Sequence, residues 1–153
     1  MHDLLLIGAY PLDQTDVRML STMGVERVLN LAEDAEYRPG ERAAVRRAYD
    51  DAGIEEHRVA FTDFGGLTPD GLEAAVREVN TWLDEDHVSY IHCRAGWQRS
   101  AAVAAAVVAV REDLDIDEAL AWVQRRKPSA DPLPHQRDDL HRWWKTRSAS
   151  ESR

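Results

Sequence analysis

The sequence predicts an α/β domain in which helices flank a central, mostly parallel sheet of about four or five strands. Strand and helix signals alternate along the chain, without an obvious linker or internal repeat, and this alternation favours a layered fold with a parallel sheet. The length of 153 residues suits one domain with a sizeable core. We therefore expect a single domain over residues 1–146 and a disordered polar tail over residues 147–153.

Four short runs of aliphatic and β-branched residues predict the strands. They cover residues 4–7, 25–31, 55–61 and 88–93. The last run ends at Cys93, the only cysteine of the chain. In open parallel sheets, ligands bind beyond the carboxyl ends of the strands, so the segment after Cys93 is the first place to look for a site.

Helices are predicted between and after the strands from capping residues and from apolar positions at helical spacing. The segment 100–110 carries no charge, which predicts a helix that is buried on every side. Thr68 is placed to cap a helix that begins at Pro69. The other predicted helices cover residues 16–23, 39–52, 117–126 and 134–144.

Composition excludes several classes of function. Nineteen Lys and Arg against 28 Asp and Glu give a net charge of −9, which disfavours binding to nucleic acid or to an anionic membrane. A single cysteine cannot form an internal disulfide, so nothing indicates an oxidising compartment and we expect a cytoplasmic protein. We also expect no stable membrane insertion, because the longest uncharged stretch is far too short to span a bilayer.

The nine residues from 92 to 100 connect the last predicted strand to the uncharged helix. Backbone N–H groups around such a turn converge with the helix N-terminus and form a cradle for an anion. Gly96 accepts dihedral angles that let the chain curl around an oxyanion. Arg99 presents a planar guanidinium that binds two phosphate oxygens at once. The loop reads His92-Cys93-Arg94-Ala95-Gly96-Trp97-Gln98-Arg99-Ser100.

Each remaining residue of the loop has a predicted task. The positive field favours the thiolate form of Cys93, which is the reactive form of cysteine. Ser100 is placed to donate a hydrogen bond to that sulfur, and His92 is placed to orient the loop. Trp97 either faces the substrate or packs in the core. The predicted substrate-binding residues are Arg94, Ala95, Gly96, Trp97 and Gln98.

The pattern His-Cys-x5-Arg-Ser resembles the signature of the protein tyrosine phosphatase superfamily, and much of residues 3–144 resembles the small dual-specificity phosphatases. The resemblance implies their fold and hydrolysis of phosphate monoesters through a cysteinyl-phosphate intermediate, without a cofactor or a metal. It implies a phosphorylated protein or a small phosphate monoester as the substrate. Segment 91–103 with the residues that follow also resembles phosphatidylglycerophosphate phosphatases, so a phospholipid or a sugar phosphate stays as the alternative.

In similar enzymes, an aspartate about thirty residues before the cysteine protonates the leaving group. Asp63 has this spacing and is followed by a glycine pair, although a solvated loop aspartate would look the same. Asp70 and Asp131 are the other candidates for this proton donor. Asp70 falls in the first turn of a predicted helix, where its charge stabilises the helix dipole, and we expect a structural role for Asp131. Asn30 resembles an asparagine that braces the phosphate loop, and the alternative is a turn-forming asparagine.

Other readings of the loop are weaker. A rhodanese-type sulfurtransferase has a shorter loop, and an inactive phosphate-binding module usually loses the cysteine, the arginine or the acid. The six histidines show no metal-binding pattern, and the chain has no nucleotide P-loop. The basic residues 125–127 fit best as the C-terminal end of a helix, where their positive charges interact favourably with the negative end of the helix dipole.

Overall fold

The computed structural model describes residues 4–151. Within them the chain forms four strands, six α-helices and a short 3₁₀ helix, Asp34–Glu36. The strands are β1 (Leu5–Ala9), β2 (Arg27–Asn30), β3 (Glu55–Arg58) and β4 (Ser89–Cys93). The helices are α1 (Gln14–Thr22), α2 (Glu41–Ala52), α3 (Pro69–Asp84), α4 (Arg99–Glu112), α5 (Ile116–Arg126) and α6 (Pro134–Glu151).

The strands form one sheet in the order β1-β4-β2-β3, and each neighbouring pair is parallel. This confirms the predicted α/β fold with a central parallel sheet. In the register, Cys93 of β4 pairs with Ala9 of β1, and His92 pairs with Asn30 of β2. The carboxyl ends of three strands therefore meet where the loop after Cys93 begins.

Helices cover both faces of the sheet because alternate strand residues point to opposite sides. Val28 packs in a cluster with Val17 and Tyr49, on the side of α1 and α2. The next residue, Leu29, packs in the larger cluster formed with α3 to α6. In α4 every residue from 99 to 109 is buried, which matches the predicted buried helix 100–110 except at Val110, which is half-buried. The loop 92–100 is thus followed by the most deeply buried helix of the larger cluster.

The end of the chain differs from the prediction of a disordered tail from residue 147. Helix α6 continues to Glu151, and residues 152 and 153 lie outside the described part. In the added turn, the guanidinium of Arg147 lies 2.9 and 3.0 Å from the two carboxylate oxygens of Glu73 on α3. Along residues 4–151, none of the helices combines the length and apolar character that crossing a bilayer requires.

Candidate active site

Cys93 lies at the carboxyl end of the central strand β4, and only 2% of its surface is exposed. Its sulfur receives a hydrogen bond from the backbone N–H of Gly96 at 3.3 Å. The hydroxyl of Ser100 lies 3.4 Å from the same sulfur, as the sequence predicts. Helix α4 begins at Arg99, so its N-terminus faces the loop and favours negative charge there. The sulfur therefore lies next to a backbone N–H donor, a hydroxyl and the N-terminus of a helix.

Gly96 allows the loop to lie directly on the end of β1. Its φ is +85°, and an added Cβ would lie 2.5 Å from the carbonyl carbon of Gly8 and 2.8 Å from the backbone nitrogen of Ala9. No side chain fits in that space. A hydrogen bond of 3.2 Å from the N–H of Tyr10 to the carbonyl of Arg94 closes the contact. The loop 92–100 is thus packed directly against the carboxyl end of β1.

Arg99 is buried, with 1% of its surface exposed, and its guanidinium is held in a fixed orientation. Nη1 and Nη2 each donate to one carboxylate oxygen of Glu36, at 2.8 and 2.6 Å. Nη1 also donates to the carbonyl of Phe61 at 2.9 Å. Burial lowers the pKa of Arg99, but the pairing with Glu36 outweighs it, so the net shift is upward and the charge is kept. The Nε donor is buried and has no acceptor among residues 4–151.

Sequence reasoning missed Glu36. It ends the 3₁₀ helix after β2, and the N–H of Glu33 donates to its carboxylate at 2.7 Å. Burial raises the pKa of Glu36, but hydrogen bonds from Arg99 and from Glu33 reverse the shift, so the net pKa lies below the ordinary value. One signal was available: a buried arginine requires a counter-charge, and acidic residues follow the carboxyl end of β2.

Asp63 lies beside the loop 92–100 and lines the same cavity. One of its carboxylate oxygens is 3.3 Å from Nη2 of Arg99, and 31% of its side chain is exposed. The rival candidates lie elsewhere. Asp70 is in the first turn of α3. The carboxylate of Asp131 pairs with Arg137 at 3.0 Å, although its backbone N–H touches the loop.

A cavity of about 380 Å³ opens above Cys93. Trp97 lies at the rim of the cavity and is 55% exposed, which excludes the alternative of a core tryptophan. Phe64, in the segment that carries Asp63, also lines the cavity and is 64% exposed. A larger groove of about 550 Å³, between α3 and α6, contains neither a thiol nor a buried arginine. The lining residues of the smaller cavity are Asp63, Phe64, Cys93, Arg94, Ala95, Trp97, Gln98 and Arg99.

Two polar side chains of β4 stabilise the base of the loop. Nδ1 of His92 lies 3.2 Å from the carbonyl oxygen of Cys93, so this nitrogen carries the proton. Burial lowers the pKa of His92 to about 4, so the ring is neutral at pH 7. Tyr90 donates a hydrogen bond of 2.6 Å to the carbonyl of Ala9. Burial, with a smaller effect of Cys93, raises the pKa of Tyr90 to about 12, which keeps this donor protonated.

The interpretation of Asn30 as a brace of the phosphate loop is corrected. Its Oδ1 accepts from the N–H of Ala32 at 2.8 Å, and its Nδ2 donates to the hydroxyl of Tyr37 at 2.9 Å. A side chain that bonds the backbone two residues on is the usual behaviour of asparagine in turns. The side chain of Asn30 therefore shapes the segment that carries Glu36, and its hydrogen-bond partners among residues 4–151 lie outside the loop 92–100.

The structure places Gln98 at the cavity wall, directly before α4, with a buried Oε1 that has no donor among residues 4–151. Within the same residues, no group of three or more His, Cys, Asp or Glu side chains is arranged to hold a metal ion.

Comparison with known proteins agrees with this geometry. A curated mouse protein, phosphatidylglycerophosphatase and protein-tyrosine phosphatase 1, is 26% identical over 141 residues, which cover 92% of this chain and 72% of the relative. The crystal structure of PTPMT1 superposes with a TM-score of 0.83 at 25% identity, over 98% of this chain and 95% of the other.

Kinase associated phosphatase has the same fold. Its structure gives a TM-score of 0.83 at 21% identity, over 95% of this chain and 88% of that one. Residues 5–146 match the family described as dual specificity phosphatase, catalytic domain. The match spans the sheet, the cysteine loop and the helices that enclose them. This chain therefore belongs to the dual-specificity phosphatase family and is a cysteine-based phosphatase.

Proposed function

We propose that Cys93 is the nucleophile of a two-step hydrolysis of phosphate monoesters, with phosphotyrosine as the preferred substrate and phosphoserine and phosphothreonine also admitted. One observation carries the proposal: the sulfur of Cys93, the guanidinium of Arg99 and the carboxyl of Asp63 line the same cavity. They supply a nucleophile, a charged hydrogen-bond donor and a proton donor.

In the first step the thiolate of Cys93 attacks phosphorus. The S–P bond forms while the bond from phosphorus to the leaving oxygen breaks, and Asp63 gives its proton to that oxygen. The backbone N–H groups of the loop and the Nε donor of Arg99 bind the phosphoryl oxygens. Glu36 fixes Arg99 before the substrate arrives, so no reorganisation of this charge is needed.

In the second step a water molecule attacks the phosphocysteine. The new P–O bond forms, the S–P bond breaks, and the carboxylate of Asp63 takes the proton from water. Ser100 lies 3.4 Å from the sulfur, and its hydroxyl stabilises the departing thiolate. The products are inorganic phosphate and the free enzyme, so the atoms and charges balance without a cofactor or a metal.

The rim of the cavity favours an aromatic phosphate ester. Phe64 and Trp97 are exposed at the rim and offer flat apolar surfaces to a phenyl ring. Arg94 is the only exposed cation of the lining residues, and the net charge of −9 opposes an anionic lipid surface. A cytoplasmic phosphoprotein fits these features, in keeping with the lone cysteine.

Phosphatidylglycerophosphate is the second candidate substrate. The mouse relative is named both as a phosphatidylglycerophosphatase and as a protein-tyrosine phosphatase, and PTPMT1 has been crystallised in complex with PI(5)P. Both relatives are similar over more than nine-tenths of this chain. The lipid therefore belongs in any test of specificity.

The test is a panel of substrates with wild type and Cys93→Ser in the presence of a chelator, with phosphate release as the readout. The panel contains a phosphotyrosine peptide, a phosphoserine peptide, phosphatidylglycerophosphate in mixed micelles and a hexose phosphate. We expect the phosphotyrosine peptide to have the highest kcat/KM and Cys93→Ser to be inactive, because serine is a far weaker nucleophile than a thiolate.

A higher kcat/KM for the lipid would select the second candidate. Turnover near the wild-type rate in Cys93→Ser would overturn the mechanism. A thiosulfate-to-cyanide assay of the same preparations is expected to be negative, and a positive result would favour the sulfurtransferase.

A further inference from the structure

The segment that carries Asp63 is fastened to the first turn of α6. Two side chains converge on the carbonyl oxygen of Gly65: Nε2 of Gln136 at 3.2 Å and Nε2 of His135 at 3.2 Å. Gln136 is fully buried, and its Oε1 accepts a hydrogen bond of 2.9 Å from the N–H of Leu133. That second bond fixes the side-chain amide, so its NH₂ group points toward Gly65.

The segment 62–66 needs such support because its backbone is tightly bent. The N–H of Gly65 bonds the carbonyl of Thr62 at 2.8 Å, and Phe64 has a φ of +61°, in the left-handed region. A bulky residue occupies that region only where its surroundings hold it there. On the far side of the bend, the carboxylate of Asp139 accepts from the N–H of Leu67 at 2.8 Å.

These contacts form a chain from α6 to the carboxyl group of the acid. Gln136 and His135 hold the oxygen of Gly65, and Asp63 lies two residues before it in the same bend. Asp63 itself has only one charged contact among residues 4–151, at 3.3 Å from Arg99. If the oxygen of Gly65 is released, the bend relaxes and the carboxyl loses its position over the cavity.

We propose that Gln136, assisted by His135, is a positioning residue for the proton donor. It does not touch the substrate and acts through the backbone of Gly65 on Asp63. The proposal rests on the function proposed above, because it requires that Asp63 protonates the leaving group.

The consequence is a dependence on the leaving group. A proton donor matters most when the leaving oxygen is basic, as in phenyl phosphate, and least when it is stabilised, as in 4-nitrophenyl phosphate. A merely structural defect lowers kcat/KM for both esters by the same factor. The ratio of the two kcat/KM values therefore separates positioning of the acid from general damage.

The test variant is Gln136→Met, which keeps the length of the side chain but cannot donate to Gly65. We expect its kcat/KM for phenyl phosphate to fall about 10-fold further than its kcat/KM for 4-nitrophenyl phosphate. Asp63→Ala should change the ratio in the same direction by about 100-fold. In the double variant, Gln136→Met should add nothing to the ratio of Asp63→Ala, because no acid is left to position.

The matched control is Gln124→Met. Gln124 also donates from Nε2 to a backbone carbonyl, that of Ala130, at the same 3.2 Å, but it lies on α5 and does not touch the acid segment. We expect this control to keep the wild-type ratio. If Gln136→Met fails to fold, as judged by circular dichroism, His135→Ala decides instead, because it removes the other donor to Gly65 from an exposed position.

The outcomes are distinguishable. Equal loss for both esters in a folded Gln136→Met, or in His135→Ala where the first variant does not fold, overturns the positioning role and leaves the proposed function intact. An unchanged ratio in Asp63→Ala means that Asp63 is not the acid, and it overturns both the acid assignment and the positioning of it.

Discussion

Arg99 and His92 show how single buried residues prepare the site. Arg99 stays protonated at 1% exposure because the carboxylate of Glu36 supplies the opposite charge and accepts two hydrogen bonds from its guanidinium. A lysine could not reproduce this geometry. His92 follows the opposite course and remains neutral, since burial without a charged partner favours the uncharged ring. Both side chains are set before the substrate binds.

The neutral state of His92 makes the stability of the protein depend on pH. Its pKa is about 4 in the folded state and about 6.5 in an unfolded chain. Below about pH 6.5 His92 is protonated in the unfolded chain but stays neutral in the folded protein. The free energy of unfolding therefore decreases as the pH falls toward about 4. The full decrease is about 3 kcal/mol, and it is absent above the unfolded pKa.

Urea unfolding across this pH range, with wild type and His92→Asn, measures the effect. We expect a smaller loss of stability with acid in the variant, because asparagine does not titrate while the other histidines are shared by both proteins. The same pH dependence in both proteins would contradict a neutral, titration-resistant His92.

At the scale of elements, the site depends on the fit between the loop 92–100 and the end of β1. Gly96 brings the two backbones together without room for a side chain. Gly40, before α2, has the same φ of +85° but nothing within 4 Å of an added Cβ. Substitution of Gly40 therefore tests the effect of backbone strain alone, whereas substitution of Gly96 adds a steric clash to the same strain.

We expect Gly40→Ala to lower the free energy of unfolding by about 1 kcal/mol, the usual cost of a left-handed alanine, with little effect on activity. Gly96→Ala should in addition displace the loop and lower kcat/KM for an aryl phosphate by about 100-fold, because small misplacements of catalytic groups are costly. Equal activity of the two variants would show that the contact with β1 does not shape the site.

At the scale of the whole molecule, the sequence predicts what is local and misses what depends on distant segments. The loop from His92 to Ser100 is contiguous, so its pattern predicts a thiol, a hydroxyl and an arginine at the right spacing. Glu36 contacts Arg99 across 63 residues, and Gln136 contacts Gly65 across 71 residues. Only the packed fold brings these pairs together.

The boundaries of elements follow the same rule. The predicted strand 25–31 shortens to Arg27–Asn30, since β2 is a strand only where it pairs with both neighbours. Helix α6 runs past the predicted end of the domain, and there Arg147 pairs with Glu73 on a different helix. Composition favours a polar tail at that point, and it does not show a contact between residues so far apart in the sequence.

The central claim is that phosphate passes through a covalent bond to Cys93. Rapid mixing of the enzyme with an aryl phosphate, followed by quenching and peptide mass spectrometry, tests it most directly. We predict one added phosphoryl group on the peptide that contains Cys93 in the wild type, and none in Cys93→Ser. A phosphoryl group on another residue, or turnover without any covalent adduct, would contradict the claim.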